Sequence, residues 1–295
     1  MDRFHLMNVF VAVAEEQGFA SAARRLRLSP PAVTRAVASL EEQLGVKLLN
    51  RTTRYVRATE AGQRYLEDSR RILAEVDAAD EAAAGINAEP RGHLSVTAPV
   101  LFGRLFVMPG IVEYLRSYPG TEVSAVFLDR IVSMLEEGID VGIRIGELPD
   151  SSLRALRVGS VRLVLCASPV YLASHPQLRE PKDLLDHSII ASSAGSGVID
   201  WRFDSASLRI QPRLSVTTND AAVEAAREGF GITRLLSYQV APLLADGELK
   251  IVLSEFEPPP LPIHIVHREG RYASGRIRAF VDLMAKRLRA DKALN

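Results

Sequence analysis

The chain has 295 residues, of which 47% are hydrophobic and 24% are charged, with one cysteine and a formal net charge of zero. This composition is typical of a folded globular protein of about two domains, and it excludes a disordered chain and a disulfide scaffold. Apolar runs are short and interrupted by charges, and the first residues do not resemble a secretory leader. We therefore expect a cytoplasmic protein that makes no membrane contact.

The zero net charge hides an uneven distribution. Residues 24–57 hold eight basic and two acidic side chains, a balance of +6, whereas residues 60–90 hold three basic and eight acidic ones, a balance of −5. A basic segment next to an acidic one indicates a local surface for a polyanion such as DNA. Charged faces of solvated helices are the alternative interpretation of the same counts.

Three helices are predicted within the first 45 residues. Apolar residues at helical spacing favour a first helix over 3–16 and a short second helix over 19–26. Ser29 then supplies a strong N-cap, and Pro30 and Pro31 fit the first turn of a third helix, where backbone amides lack intrahelical partners. The prolines therefore separate two helices rather than break one. The buried stripe of the third helix comprises Val33, Val37, Leu40 and Leu44, and Gly45 ends it.

A short helix, a turn of about three residues and a second helix form a helix-turn-helix motif over residues 19–38. In this motif the exposed face of the second helix enters the DNA major groove, and its N-terminal residues contact the base edges. An ordinary helical hairpin is the alternative. The candidate DNA-binding residues on this part of the chain are Ser29, Pro31, Thr34 and Arg35.

The next segment predicts a small basic hairpin. Two strand-like pieces, 47–51 and 55–57, flank the polar turn Thr52–Thr53. A basic hairpin next to a recognition helix is a wing, which contacts phosphates or the minor groove. The wing adds Arg51 and Arg54 to the candidate DNA-binding residues, and Arg57 lies on the same hairpin.

A long helix follows the predicted wing. Thr59 is placed to cap it, and Glu60 lies in its first turn, where an acid is favourable. Side chains then recur in steps of four and three, a spacing that suits a seam between two helices and predicts a dimer. The residues of this seam are Tyr65, Ser69, Ile72, Val76, Ala79 and Ala83.

The pattern changes after a Gly- and Pro-rich boundary near 88–92. Strand-like segments such as "HLSVTA", "EVSAVFL", "VGIRIG", "VRLVLCAS", "SIIAS", "RLSVTT" and "IHIVHR" alternate with helical ones. The helical segments lie near 101–117, 130–138, 221–228, 237–245 and 274–289. This alternation predicts an α/β domain with a largely parallel sheet.

The stretch "FVAVAEEQGFASAARRLRLSPPAVTRAVASLEEQLGVKLLNRTTRYVRATEAG" resembles the N-terminal domain of the LysR-type transcriptional regulators. The resemblance lies in "AARRL", in the S-P-x-A-V-T-R opening of the third helix, in "LE-x-x-LG-V-x-L" and in "R-T-T-R…T-x-AG". Thr34 stands where that family often has Ser, which keeps the hydroxyl. "RLLSYQVAPLLADGELKIVL" and "EPPPLPIHIVH" resemble the back half of the family's effector domain.

The resemblance implies a domain plan for the chain. It implies a winged helix-turn-helix over 1–59, a linker and dimerisation helix over 60–87, and an effector-binding α/β domain over 92–295. That domain is expected to resemble periplasmic solute-binding proteins, with one subdomain from 92–165 plus 268–295 and another from 166–267. The expected partners are double-stranded DNA, a small-molecule effector and further copies of the chain, as a homodimer and a homotetramer.

In such α/β folds a ligand binds at strand carboxyl ends and helix N-termini, which favour anions. A carboxylate-bearing effector is therefore expected, although the apolar residues of the first candidate segment also favour a partly apolar pocket. Each candidate has an alternative reading as a cap or a core residue, and Arg144, Arg234 and Trp201 are weaker candidates. The candidate effector-binding residues are Thr97, Pro99, Val100, Phe102, Ser192, Ser193, Thr218 and Asn219.

No metal, cofactor or catalytic site is expected. The six histidines are scattered without metal-ligand spacing, no nucleophile or phosphate-loop motif occurs, and Cys166 lies in an apolar strand as a structural thiol. Two rival functions remain: a solute-binding protein without a regulatory role, and an enzyme fused to a DNA-binding domain. The basic N-terminal region argues against the first, and the lack of a catalytic constellation argues against the second.

Overall fold

The computed structural model describes residues 2–51, 56–84, 89–130, 132–134, 136–149, 153–192, 198–204, 207–267 and 274–294, with only the backbone of 51, 74, 75 and 77–84. The chain forms two compact units. The first unit comprises Met1–Val100, Met108–Gly142 and His267–Asp282, and the second comprises Leu101–Val107, Ile143–Val266 and Leu283–Asn295.

The three helices predicted at the N-terminus are present. They are α1 (Arg3–Glu16), α2 (Phe19–Leu26) and α3 (Pro30–Leu44). The Ser29 hydroxyl accepts a hydrogen bond from the Ala32 amide at 3.4 Å, which confirms Ser29 as the N-cap before the two prolines. Gly45 ends α3 with φ of 67°, a left-handed conformation that glycine adopts without strain.

These helices enclose one apolar core. Val33, Val37 and Leu40 of the predicted stripe are fully buried, and Ala22 and Ala23 allow α2 to approach its neighbours closely. Phe10 of α1 is fully buried in the same cluster. Because the apolar face of α3 is fixed inward, its opposite face is fixed toward solvent.

A hairpin and a long helix follow. Strands β1 (Leu49–Arg51) and β2 (Val56–Ala58) pair antiparallel, and α4 runs over Glu60–Ala84. The Thr59 hydroxyl accepts from the Gly62 amide at 2.9 Å and donates to the Lys47 carbonyl at 2.8 Å, so it caps α4 and joins it to the hairpin. A Cβ atom at Gly62 would lie 1.9 Å from the Leu48 carbonyl oxygen, so only glycine fits there.

The rest of the chain alternates strands and helices, as predicted. A π-helical turn, Gly103–Val107, joins α5 to α6, and short 3₁₀ turns lie further along the described chain at Pro181–Asp186, Ser254–Phe256 and Lys292–Leu294. In chain order the elements are β3 (Gly92–Ala98), α5 (Val100–Phe102), α6 (Met108–Ser117), β4 (Thr121–Phe127), β5 (Val141–Ile145), β6 (Arg154–Val161), β7 (Leu163–Ala167), α7 (Pro169–Ala173), β8 (Ile189–Ser192), β9 (Ile199–Arg202), β10 (Ser207–Ile210), β11 (Leu214–Val216), α8 (Asn219–Arg227), β12 (Ile232–Leu236), α9 (Ser237–Ala245), β13 (Lys250–Val252), β14 (Leu261–His267) and α10 (Gly275–Ala290).

In the first unit, β3 lies between β4 and β5 and is parallel to both. The Tyr114 hydroxyl of α6 donates to the Arg276 carbonyl at 3.0 Å, and its ring meets Phe280 edge-on at 5.3 Å. The helix predicted near 130–138 is wrong for the residues described there. Arg130 and Glu137 instead form a bidentate ion pair, with N–O distances of 2.9 and 3.1 Å. The turn between them ends at Gly138, which has a φ of 63°.

The second unit contains a five-stranded sheet in the order β11-β8-β12-β7-β13. Strands β11, β8 and β12 are parallel to one another, whereas β7 is antiparallel to β12 and β13. Strands β9 and β10 form a separate hairpin, and β5, β14 and β6 lie side by side in that order. Across the described part of the chain, no helix is long and apolar enough to cross a membrane.

Candidate functional site

The outer face of α3 carries the DNA-binding residues predicted for it. Pro31 and Arg35 are exposed and Thr34 is half-buried, whereas Val33 between them points into the core. Ser29 is also exposed, but its hydroxyl serves as the helix cap. The candidates therefore divide into one capping residue and a surface of three side chains near the N-terminus of α3.

Two side chains of this surface offer complementary chemistry. Arg35 is exposed and forms no hydrogen bond or ion pair with any residue that the structure describes. The Thr34 hydroxyl donates to the Pro30 carbonyl at 3.0 Å, which leaves its oxygen lone pairs and its methyl group for a partner. A free guanidinium matches the acceptors of guanine, and a methyl group suits the methyl of thymine.

The basic segment is not a uniform surface. Arg25 pairs with Glu15 at 2.7 Å and Arg70 pairs with the same carboxylate at 2.8 Å, so these charges are satisfied within the chain. Arg24, Arg27 and Arg57, in contrast, are exposed and have no such partner among the described residues. Of these two groups, the second is the one whose charges are unpaired among the described residues. Sequence counting could not separate the two groups, because Arg24 and Arg25 are adjacent.

Glu41 fastens the hairpin to α3. Its side chain is 2% exposed, and its carboxylate accepts from Lys47 Nζ at 2.8 Å and from the Leu48 and Leu49 amides at 2.9 and 3.1 Å. Burial alone would raise the pKa of Glu41, but these hydrogen bonds together hold it below its ordinary value. The acid inside the basic segment therefore positions the hairpin next to the recognition helix. Sequence reasoning missed this role.

The wing is only partly described. Its two strands pair in the register Leu49–Ala58, Asn50–Arg57 and Arg51–Val56, which places Arg57 on the hairpin as predicted. The side chain of Arg51, all of Arg54 and the Thr52–Thr53 turn lie outside the described residues. Their contacts with DNA stay predictions.

The predicted dimer seam needs correction at its beginning. Tyr65 packs on Phe10 of α1 with 5.7 Å between ring centroids, and Ser69 is fully buried within the single chain. Both side chains are thus used by the N-terminal core rather than offered to a second copy. Ile72 and Val76 are partly exposed and remain candidates for a contact with a second copy. The side chains of Ala79 and Ala83 lie outside the described residues.

The first candidate effector segment is largely structural in its contacts. Thr97 is fully buried and its hydroxyl donates to the Val126 carbonyl at 2.8 Å. The Val100 amide donates to the Asp129 carboxylate at 2.9 Å. An acid distant in sequence thus caps this three-residue helix, and the Val100 amide is not free to bind an anion.

Phe102 also belongs to the packed interior. It is fully buried, and its ring lies 4.7 Å from that of Phe106 and meets Tyr238 edge-on at 5.4 Å. Pro99 is half-buried and Val100 is 45% exposed. Of the apolar residues in this segment, Phe102 thus packs its ring in the interior, and Val100 exposes its small side chain to solvent.

The second group of candidates meets at one edge of the sheet. Strands β8 and β11 are parallel with Ser192 opposite Val216, so Ser192 and the residues after β11 lie at the same carboxyl edge. Thr218 caps α8, accepting from the Ala221 amide at 3.4 Å, and Asn219 is the first residue of that helix. Ser193 lies outside the described residues. Neighbouring polar residues at such an edge suit a small-molecule contact.

The described residues indicate neither a metal site nor a reactive thiol. Within the described ranges, no group of three His, Cys, Asp or Glu side chains is arranged to hold a metal ion. Cys166 is fully buried, and burial raises the pKa of its thiol to about 12. A thiol with such a pKa is almost wholly protonated at neutral pH and is a poor nucleophile.

Comparison with known proteins matches both parts of the chain. The family model "Bacterial regulatory helix-turn-helix protein, lysR family" matches residues 4–63, and the model "LysR substrate binding domain" matches residues 87–289. The HTH-type transcriptional activator AaeR of Escherichia coli (strain K12) is 33% identical over 276 residues, which cover 91% of this chain and 88% of AaeR.

Solved structures agree with these matches. The structure of CrgA, a LysR-type transcriptional regulator from Neisseria meningitidis, is 30% identical with a TM-score of 0.61, and the match covers 96% of this chain and 98% of CrgA. A full-length OxyR variant from Pseudomonas aeruginosa has a TM-score of 0.70 at 16% identity, covering 100% of this chain and 97% of that one, which shows a similar fold.

Proposed function

Since the chain belongs to the LysR family of DNA-binding transcriptional regulators, we propose that it reads its DNA site with the exposed face of α3. Arg35 would contact a guanine in the major groove, with Thr34 and Pro31 beside it. The observation that carries this proposal is an exposed Arg35 with no partner among the described residues.

Phosphate contacts would come from the unpaired arginines around α3. Arg24 and Arg27 lie at the end of α2, the helix that crosses the DNA backbone in this motif. Arg57 lies on the hairpin, and Arg51 and Arg54 are proposed to join it on the wing. These contacts position the protein and carry little sequence information.

We further propose that two copies bind an interrupted palindrome through α4, with Ile72 and Val76 in the contact between copies. Two half-sites held jointly bind more tightly than one, because the second contact becomes intramolecular. Pairing of such dimers into a homotetramer is the corresponding proposal for the full assembly. The protein would act in the cytoplasm, where bacterial DNA lies, and no catalytic step is assigned to it.

Control by a small molecule is the third part of the proposal. The C-terminal domain, with the subdomain limits 92–165 plus 268–295 and 166–267, would bind a carboxylate-bearing effector. Ser192, Thr218 and Asn219 support this, since they lie at one carboxyl edge of a parallel sheet. Thr97, Pro99, Val100 and Phe102 are not assigned a contact with the charge of the ligand, because the described contacts of Thr97, Val100 and Phe102 are structural.

Mapping of bound genomic sites tests the DNA-reading proposal. The wild type is expected to occupy discrete sites that share a motif, and Arg35→Ala is expected to lose that motif at a cost of about 1–3 kcal/mol at each site. Binding of the purified variant to unrelated DNA should change far less. An unchanged motif for Arg35→Ala would show that α3 is not the reading helix.

A further inference from the structure

Strand β12 carries one charged residue on a face that is otherwise apolar. Arg234 follows Ile232 on the same face, and Ile232 packs in a cluster with Trp201 and Phe203. Leu235 belongs to the cluster on the opposite face of the sheet. The Arg234 guanidinium is therefore directed into the layer that the β9–β10 hairpin covers.

Aromatic rings hold this guanidinium in place. Its central carbon lies 5.6 Å from the centroid of Trp201 and 5.1 Å from that of Phe203, which are cation–π distances. It also donates a hydrogen bond to the Arg202 carbonyl. Three contacts with one hairpin fix the plane of the side chain, so that its remaining donors have a set direction.

The charge of Arg234 has no acidic partner among the residues that the structure describes. Other arginines of the second unit do have one: Arg162 forms two bonds of 2.8 Å with Glu257, and Arg227 pairs with Glu224 at 2.7 Å. Burial lowers the pKa of the Arg234 guanidinium below its ordinary value. A partly desolvated cation without a counter-charge is unfavourable, and an anion that reaches it would relieve that cost.

Arg234 also lies close to the candidate effector edge. Strands β8 and β12 are parallel, with Thr233 opposite Ile190, so Arg234 stands level with the residue just before Ser192. It is two residues from the carboxyl end of β12, where α9 begins. The Ser192 side chain lies on the face of Ile190, opposite to that of Arg234, so a ligand that contacts both must lie across the carboxyl edge of the sheet.

We infer that Arg234 binds the carboxylate of the effector, with Trp201 and Phe203 holding its guanidinium in position. The inference rests on the proposed function, since it names the chemical class of the molecule that controls the regulator. Arginine offers a carboxylate two parallel N–H donors, which gives orientation as well as affinity. The ligand class is a small organic acid.

The test uses the full-length protein and three acids, acetate, succinate and hexanoate, each compared with its neutral amide at constant ionic strength. The melting temperature is expected to rise with at least one of the acids and not with its amide. Arg234→Met should lower the affinity for that acid at least ten-fold, as measured by titration calorimetry. Arg234→Lys should retain part of the affinity, because lysine keeps the positive charge. Arg213→Met is the matched control, because Arg213 also lies over an aromatic ring, Phe230 at 5.6 Å.

Three results would overturn the inference: no response to any of the acids, equal responses to acid and amide, or an unchanged affinity in Arg234→Met. DNA binding by the same proteins without added acid separates this outcome from the proposed function. If the wild type binds its DNA site and no acid binds, the inference fails alone. If the wild type binds no DNA, the proposed function fails whatever the acids do.

Discussion

Two adjacent arginines on α2 provide a direct test of how the chain contacts DNA. Arg24 is exposed without a described partner, whereas Arg25 pairs with Glu15 at 2.7 Å and approaches Glu16 at 3.6 Å. We expect Arg24→Ala to weaken DNA binding and Arg25→Ala to leave it nearly unchanged. The two substitutions remove the same charge from neighbouring positions, so that each is the control for the other.

The size of the effect follows from counterion release. The plot of log affinity against log salt concentration has a negative slope, and each phosphate contact contributes about −0.9 to it. Loss of the Arg24 contact should therefore make the slope less negative by roughly 0.9 and reduce the affinity about eight-fold at 0.1 M salt. The double variant Arg24→Ala with Arg27→Ala should lose about 1.8 units, if the two contacts act independently.

Fluorescence anisotropy with a labelled duplex, repeated from 50 to 300 mM salt, measures these slopes. A specific and a scrambled duplex should lose affinity equally, because phosphates carry no sequence information. Equal slope changes for Arg24→Ala and Arg25→Ala would refute the reasoning, since the Glu15 ion pair would then not withhold Arg25 from DNA. Circular dichroism before titration confirms that each variant is folded.

Three further outcomes are expected. Glu41→Gln should lower the free energy of unfolding by about 1–3 kcal/mol at pH 7, measured in urea, because it removes charged hydrogen bonds in a buried site. Because the folded pKa of Glu41 is lowered, its contribution to the free energy of unfolding is present above the unfolded pKa of about 4.3 and is lost as the pH falls through the folded pKa. A loss of stability in Glu41→Gln that is as large at pH 3 as at pH 7 would contradict this. Burial lowers the pKa of His187, whose Nδ1 lies 3.1 Å from the Tyr171 hydroxyl. The contribution of His187 to the free energy of unfolding is therefore complete above its unfolded pKa of about 6.5 and is lost as the pH falls through the folded pKa. His187→Asn should flatten the pH dependence of the melting temperature in that range, and an unaltered profile would assign it to other groups. Ile72→Asp with Val76→Asp should shift the protein to a smaller species in light scattering and weaken DNA binding, and an unchanged mass would remove α4 from the contact between copies.

The sequence predicted the features that depend on residues close together in the chain. Ser29 and the two prolines after it mark the start of α3, and Gly45 marks its end, because caps and turns are made by backbone groups within a few residues. The apolar spacing along α3 determined which side of it faces solvent, and so which residues are offered to DNA. Strand β3, in which apolar and polar residues alternate, and strand β8, a short apolar run, were likewise predicted.

Strand β12 was not predicted, because Ile232–Leu236 is buried on both faces and lacks alternation. Only the tertiary structure decided which charged and polar groups are already occupied. Arg24 and Arg25 are neighbours in sequence, yet one is free and the other is paired with a residue of another helix. Asp129 reaches the Val100 amide across 29 positions, and Ser69 is buried by the fold of its own chain. Contacts of this kind depend on how elements pack, a property to which distant residues contribute together and which local spacing does not encode.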